Sequence, residues 1–558
     1  MIGRSLSVLL IGLSCGIAVA QSHDADLHSP LSIPLTLSGN FGELRNNHFH
    51  SGLDFKTNGR TGYKIYCAAD GYVSRIVVSP WGFGRAVYVT HPDLGLTTVY
   101  GHLESFSTKI DTLVRRAQYD REAFSVDLTF TPGEIPVTKG EVIALSGNSG
   151  SSGGPHLHMD VRDTATGDAL DPMPYFRNRI TDRVAPEVRQ VALYPVDGSV
   201  VDGQTSPSYR APAELSRQFT AWGTVIPGIK AYDRMTGTSN IYGIKYLTLK
   251  VDGQEVYRRV IDRVDFNRSR ASNTLIYYPD KYHRGSWVMI TRQADSAPLA
   301  SMITESGQGG VLNIDQERDY KCEFIMEDDH GNRSSAKFTV KGVPSVISSP
   351  NQAGTPFHHN KASRVSGYGL VASFPAGTFY DDLKFTTTFR PDSSYVSHVY
   401  TVGDPAVPLS GSYDMTIDLT RDDMSDKSKY CIVRISGKKR SAIATTYDSG
   451  KVTGRPNQLG DYAVTTDTEA PVAMPVNKAG WSKSGNIVYR LTDNLSGVQT
   501  YRGEIDGQFV LFELDGKTGK ATFRLSPDRV KKGKSHTVTM TVTDACGNQS
   551  TSTDRFTW

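Results

Sequence analysis

Mainly β structure is the fold class that this sequence predicts, and three observations predict it. Residues 244–251 and 537–543 carry apolar side chains at alternate positions, the period of a strand with one buried face. Turn pairs recur between such runs, at Asp252-Gly253, Gly331-Asn332, Asp506-Gly507 and Gly547-Asn548, where Gly and Asn tolerate the positive φ of tight hairpins. The composition agrees, with 52 Gly, 27 Tyr and 21 Phe favouring short strands and turns over helical bundles. A chain of 558 residues also exceeds what one hydrophobic core usually holds, so several β units are expected.

In chain order, residues 1–20 read as a signal peptide: Arg4, then an apolar stretch, then the small-x-small sequence Ala18-Val19-Ala20. Export to the periplasm, cell envelope or exterior follows. A lipid anchor at Cys15 competes with this reading, although Gly12 stands where a lipobox normally has an aliphatic residue. No later stretch is long and apolar enough to span a bilayer. Residues 21–183 form the next unit, with strands expected at 72–78, 86–90, 96–100, 142–146 and 157–161. One helix is expected, because Phe106, Ile110, Leu113, Val114 and Ala117 recur at helical spacing.

Two related modules follow, at 184–343 and 469–558. Asp233 to Gly237 and Asp252-Gly253-Gln254 parallel Asp493 to Gly497 and Asp506-Gly507-Gln508, while Asp328 to Ser334 and Asp544 to Ser550 share the frame Asp-x-x-Gly-Asn-x-Ser. The first copy carries an insertion between Asp252 and Asp328. Both copies resemble the immunoglobulin-like β-sandwich modules of bacterial surface proteins, and two copies suit separate beads better than a solenoid. Their Asp-rich turns do not match an EF-hand loop, and turn chemistry accounts for them without calcium. Residues 344–468 read as a further β domain whose role the sequence does not state.

Charge and cysteine usage narrow the function. With 61 Lys+Arg against 58 Asp+Glu the net charge is +3, too small for the basic field that nucleic acid binding requires. Cys67, Cys322, Cys431 and Cys546 fall one to each unit, so no unit closes an internal disulfide.

Eight of the 14 histidines precede residue 160. Among them, His156 and His158 stand two apart in Pro155-His156-Leu157-His158-Met159-Asp160, so a strand sends both imidazoles to one face. Such a pair makes either a metal site or a ligand plus a base. His50-Ser51-Gly52-Leu53-Asp54 supplies another imidazole and a carboxylate, the mixed donor set that zinc favours, and three protein ligands leave a fourth position for water. The Gly- and Ser-rich residues 146–155 lack the Gly-Lys-Ser/Thr of a P-loop. No His-Glu-x-x-His helix and no Gly-x-Ser-x-Gly elbow is present. His48 reads as a rim residue and His91, ahead of Pro92-Asp93, as a structural one.

These motifs resemble the lysostaphin-like or LytM-type zinc endopeptidases that cut peptidoglycan cross-bridges. The resemblance rests on Phe49-His50-Ser51-Gly52-Leu53-Asp54-Phe55, Ala68-Ala69-Asp70-Gly71-Tyr72-Val73, Val99-Tyr100-Gly101-His102-Leu103, and Gly147-Asn148-Ser149-Gly150 leading to Gly154-Pro155-His156-Leu157-His158, in the family's order. It implies an antiparallel β peptidase domain with one catalytic Zn2+ held by His50, Asp54 and His158. It further implies His156 as general base and His102 as its partner in stabilising the transition state. Peptidoglycan stem peptides or cross-bridges are the implied substrate, with envelope partners engaged through the β modules. The stretch between His102 and Val137 is longer than a minimal family member needs. The competing reading is a non-enzymatic wall-binding scaffold, or a regulator of another hydrolase, built on a peptidase fold.

Overall fold

The computed structural model describes residues 26–305, 309–348 and 353–558; the expected signal segment, its Cys15 and His23 lie outside the described residues. The chain is mostly β, with many antiparallel sheets. No helix among the described residues is long and apolar enough to cross a membrane.

The first large sheet is built from β1 (Leu37–Gly39), β2 (Leu53–Lys56), β3 (Gly71–Val78), β4 (Arg85–His91), β5 (Leu96–Gly101), β6 (Val126–Thr129) and β7 (His156–Asp163). Their order is β1-β2-β7-β5-β4-β3-β6, with antiparallel neighbours throughout. Leu157, Met159 and Val161 on β7 point into the apolar core with Phe55, Val87, Val89 and Tyr100, which leaves His156, His158 and Asp160 on the other face. The expected helix forms as α1 (Thr108–Asp120), burying Ile110 and Val114 against this core. Phe106 falls just before it, in a short strand.

Both Asp-Gly hairpins form as expected. Asp252 and Gly253 have φ of 50° and 85°, Asp506 and Gly507 of 51° and 79°, the two successive positive values a tight turn between right-twisted strands requires. In the first copy, the 14-residue strand Phe219–Tyr232 pairs with Glu187–Pro195 along one part and runs parallel to Arg333–Gly342 along another, joining two layers around a single core. Residues 357–464 enclose a core of their own between two five-stranded sheets, and residues 473–556 enclose another. The stretch expected as one strand at 383–389 breaks in two: Leu383–Phe385 pairs with Thr355–Phe357, and Thr387–Arg390 pairs with Val399–Val402.

Independent beads do not describe the molecule. The insertion of the first copy adds strand Arg263–Val264 to Ala169–Leu170, and Ile261, Val264, Ala271 and Leu275 enter the core of the first sheet. The last module folds back on the same region: Arg85 Nη2 meets Glu513 Oε2 at 2.5 Å, Arg502 pairs with Glu122, Tyr119 stacks edge-on against Phe509, and Leu511 joins the first core. Local strand patterning carries no information about such contacts between distant segments, which is why the sequence suggested separation. The four cysteines among the described residues are buried and free, and Cys431 and Cys546, from different units, share one small core.

Candidate metal centre

Register puts the pieces together. Along β7, His158 pairs with Asp54 of β2 on one side and Gly101 of β5 on the other, so the histidine pair, the aspartate and His102 meet across three adjacent strands. His50 arrives from the turn before β2. That turn needs Gly52, because a Cβ there would lie 2.2 Å from the Met159 carbonyl oxygen.

The donors converge on Asp54 Oδ1. His50 Nε2 lies 3.0 Å from it, His158 Nδ1 2.9 Å and His156 Nε2 3.3 Å, while His50 Nε2 and His158 Nδ1 are 3.0 Å apart. Outer partners orient each group. His50 Nδ1 donates to the Asn40 carbonyl at 2.6 Å, and His158 Nε2 donates to Asp160 Oδ1 at 2.6 Å. Asp160, fully buried, also accepts from Ser51 Oγ and from both Nε and Nη2 of Arg162. Arg45 Nη2 donates to Asp54 Oδ2 at 2.9 Å, which turns Oδ1 toward the histidines.

With the outer nitrogens donating, the inner nitrogens of His50 and His158 present lone pairs to a carboxylate oxygen. Three acceptors at this spacing repel unless positive charge sits among them. Burial disfavours charge on His158, yet Asp160 and Asp54 outweigh it and raise the imidazole to about 9 when no metal is present. Burial likewise opposes charge on Asp54, but His50, His156 and His158 hold it well below the usual carboxylate range. Two imidazoles and one carboxylate therefore fit a divalent cation, which would take the place of that proton.

His102 and His156 lie beside this trio with ring centroids 4.8 Å apart. His156 Nδ1 donates to the Gly154 carbonyl at 2.8 Å, leaving Nε2 free of a proton in the neutral ring. His102 takes a left-handed φ of 59°, and its Nδ1 donates to the Ser149 carbonyl at 2.8 Å. Burial and the neighbouring His158 and His156 lower its pKa to about 3, so it stays neutral. An N–H directed at a substrate oxygen is thus available from His102 only after Nε2 has taken up a proton. Phe83 stacks on His158 and closes its outer side. His48 is exposed, and His91 is buried with one nitrogen on Asp70 O and the other on Thr98 Oγ1.

Asp160, Arg45 and the Asn40 carbonyl were not singled out from the sequence. For Asp160 the signal was present, since it continues the alternation of His156 and His158. Nothing local marks Arg45 or Asn40.

Known proteins are similar to part of this chain. An uncharacterized metalloprotease of Haemophilus influenzae is 34% identical over 124 residues, covering 22% of this chain and 20% of that protein. The DD-carboxypeptidase/endopeptidase Mpg of Neisseria meningitidis is 30% identical over 113 residues, covering 20% of each. The chain thus spans about a fifth of the length of the curated relatives it matches. The catalytic domain of lysostaphin from Staphylococcus simulans aligns at 22% identity over 25% of this chain and 89% of that domain, with a TM-score of 0.18. The family described as a Zu5-like domain matches residues 354–467. The resemblance drawn from the four motifs is borne out by these peptidase relatives.

Proposed function

We propose that the chain is an exported zinc endopeptidase that hydrolyses peptide cross-links of peptidoglycan, with His50, Asp54 and His158 as metal ligands. The observation that carries this reading is the convergence of two imidazole nitrogens and one carboxylate oxygen at 2.9–3.0 Å, each oriented by a partner behind it. Bound zinc would lower the pKa of its water to about 7 and polarise the scissile carbonyl.

The chain's own groups supply the proton traffic. His156 Nε2, which carries the lone pair in the tautomer whose Nδ1 donates to the Gly154 carbonyl, accepts the proton of the attacking water and returns it to the leaving amine. His102 Nε2 is a second acceptor beside it. Two later segments border the site. From the insertion, Ser269 Oγ accepts the Phe49 N–H and Asn273 Nδ2 donates to Asn47 Oδ1; from the last module, Lys517 Nζ donates to the Asn148 carbonyl and Gly516 lies against Trp81. A space of about 420 Å³ between that module and the Ser149 loop, lined by Arg85, Leu103, Asn148 and Lys520, suits an extended peptide.

The name of the Neisseria meningitidis relative favours a D-amino-acid cross-link over a glycine bridge. Digestion of purified walls followed by mass spectrometry of the fragments tests activity and bond together. Zinc-loaded protein releasing no muropeptides would favour the scaffold reading.

A further inference from the structure

The repeated modules bring together a second kind of acidic cluster, and they do so twice. In the first copy, Asp182, Asp233 and Asp328 each place a carboxylate oxygen within 4.8 Å of the others; in the second, Asp467, Asp493 and Asp544 do the same. The six residues correspond position for position. Asp182 and Asp467 open the frame Asp-x-x-Ala-Pro, Asp233 and Asp493 the frame Asp-x-x-Thr/Ser-Gly, and Asp328 and Asp544 the frame Asp-x-x-Gly-Asn.

The supporting hydrogen bonds correspond as well. Asp328 Oδ1 accepts from the backbone N–H groups of His330 and Asn332, and its Oδ2 from Asn332 Nδ2 at 2.7 Å. Asp544 Oδ1 accepts from Cys546 and Asn548, and its Oδ2 from Asn548 Nδ2 at 2.7 Å. Asp182 accepts the Thr236 N–H through one oxygen at 3.0 Å, and Asp467 the Ser496 N–H in the same way at 3.0 Å. Turn chemistry therefore employs one set of oxygens and leaves another.

The oxygens left over point to a ligand. Asp182 Oδ2 and Asp233 Oδ1 in the first cluster, and Asp467 Oδ1 and Asp493 Oδ1 in the second, are buried without any hydrogen-bond partner. Asp182, Asp233 and Asp467 are 7%, 3% and 1% exposed, so bulk solvent does not reach them. Nor does any Lys or Arg among the described residues form an ion pair with the six carboxylates. Buried carboxylates carry a large desolvation cost unless paired or bound to metal, and three at this separation repel one another. The same orphaned atoms recurring in both copies make an accident of packing a poor explanation.

We propose that each cluster is a calcium site that clamps the linker ahead of a module to two turns of that module. The donors are all oxygen, which selects a hard cation, and irregular sets of carboxylates with room for carbonyls and water suit Ca2+ better than the strict octahedron of Mg2+. Each clamp lies at a junction. Asp182 follows Ile180, which belongs to the core of the first sheet, while the Asp328 turn reaches back through His330 Nε2 to the Ile180 carbonyl. Asp467 directly follows strand Gly460–Thr466 and holds Asn548 of the last module through its own carbonyl. Calcium would thus fix the first module against the metal-centre sheet and the last module against the 357–464 core. The reading of these turns as self-sufficient is revised accordingly: hydrogen bonding leaves four of their twelve carboxylate oxygens without a partner.

The test is calorimetric titration of the full-length protein with calcium chloride, after dialysis into calcium-free buffer that retains zinc. Two calcium ions per chain are expected, with dissociation constants in the range of extracellular modules, about 10⁻⁴–10⁻³ M. Asp233→Asn with Asp328→Asn should leave one ion, Asp493→Asn with Asp544→Asn the other, and the fourfold variant none. Magnesium should bind at least about tenfold more weakly. No calcium uptake, unchanged stoichiometry in the variants, or preferential filling by magnesium or added zinc would overturn the assignment. Melting of the single variants Asp233→Asn and Asp493→Asn guards against simple misfolding, since each alters a carboxylate with an unpartnered oxygen. Without calcium they should melt at or above wild type, and with calcium they should lose one clamp's share of its upward shift; destabilisation equal in both buffers would mean a structural role alone.

Discussion

The His50–Asp54–His158 centre and the two triple-aspartate clusters each bring three metal-ligating side chains together, yet they are built on opposite plans. In the first, two of the three donors are neutral imidazoles, and every donor is held from behind by Asn40, Asp160 or Arg45. Charge is nearly balanced without a metal, because a proton on His158 can stand in for one. In the second, all three donors are carboxylates and some of their oxygens have no partner at all. A preorganised nitrogen and oxygen set with room for water suits chemistry. An over-charged oxygen set at a joint suits a cation that holds structure.

The largest effects should come from the first centre. Asp54→Ala or His50→Ala should remove bound zinc and reduce wall hydrolysis to background, as read by metal analysis of the purified protein and muropeptide release. His156→Ala should keep the zinc and lose roughly 10²–10⁴-fold in rate, the usual worth of a general base. Loss of zinc in that variant would mean that the roles of the two β7 histidines are exchanged. Asp160→Asn comes next. It keeps the shape but weakens the acceptor behind His158, and should lower zinc affinity about 10–100-fold in a competition titration while leaving the fold intact.

The aspartate clusters should respond differently. Calcium at a hundredfold excess over Kd should stabilise the chain by about 2.7 kcal/mol per occupied site. In Asp493→Asn, one such increment should vanish from the melting curve while hydrolysis of a small soluble cross-linked peptide stays at the wild-type rate. A fall in that rate equal to the loss seen with Asp54→Ala would erase the distinction between the two kinds of centre.

How much of this was legible follows from the range of each interaction. The strands at 72–78, 86–90, 96–100 and 157–161 could be read because alternation is local, and they match β3, β4, β5 and β7 within two residues at each end. The histidine pair could be read because period two is a property of one strand. Asp160 obeys the same period and was open to the same reasoning. Arg45 reaches Asp54 through loop geometry, with no spacing rule to reveal it. The aspartate clusters were visible as repeated turns, but only the assembled fold separates oxygens engaged by backbone N–H groups from those left over. The return of the last module to the first sheet rests on pairs such as Arg85 with Glu513, more than 400 positions apart, and no local pattern encodes it.

That return gives the smallest expected effect and the most specific one. The Arg85–Glu513 pair is partly exposed, at 19% and 39% of the two side chains, so Glu513→Ala should cost no more than about 1 kcal/mol in global stability. Glu513 nevertheless lines the space beside Leu103 and Ser149, and the Ser149 carbonyl accepts from His102 Nδ1. If the last module forms one wall of the substrate groove, Glu513→Ala combined with Lys517→Ala should lower hydrolysis of intact walls several-fold more than hydrolysis of a short cross-linked peptide, which fills less of the groove. Equal losses on both substrates would show that the contact acts only through the metal centre's alignment. No loss on either would make the module a bystander to substrate binding, held nearby by the junctions alone.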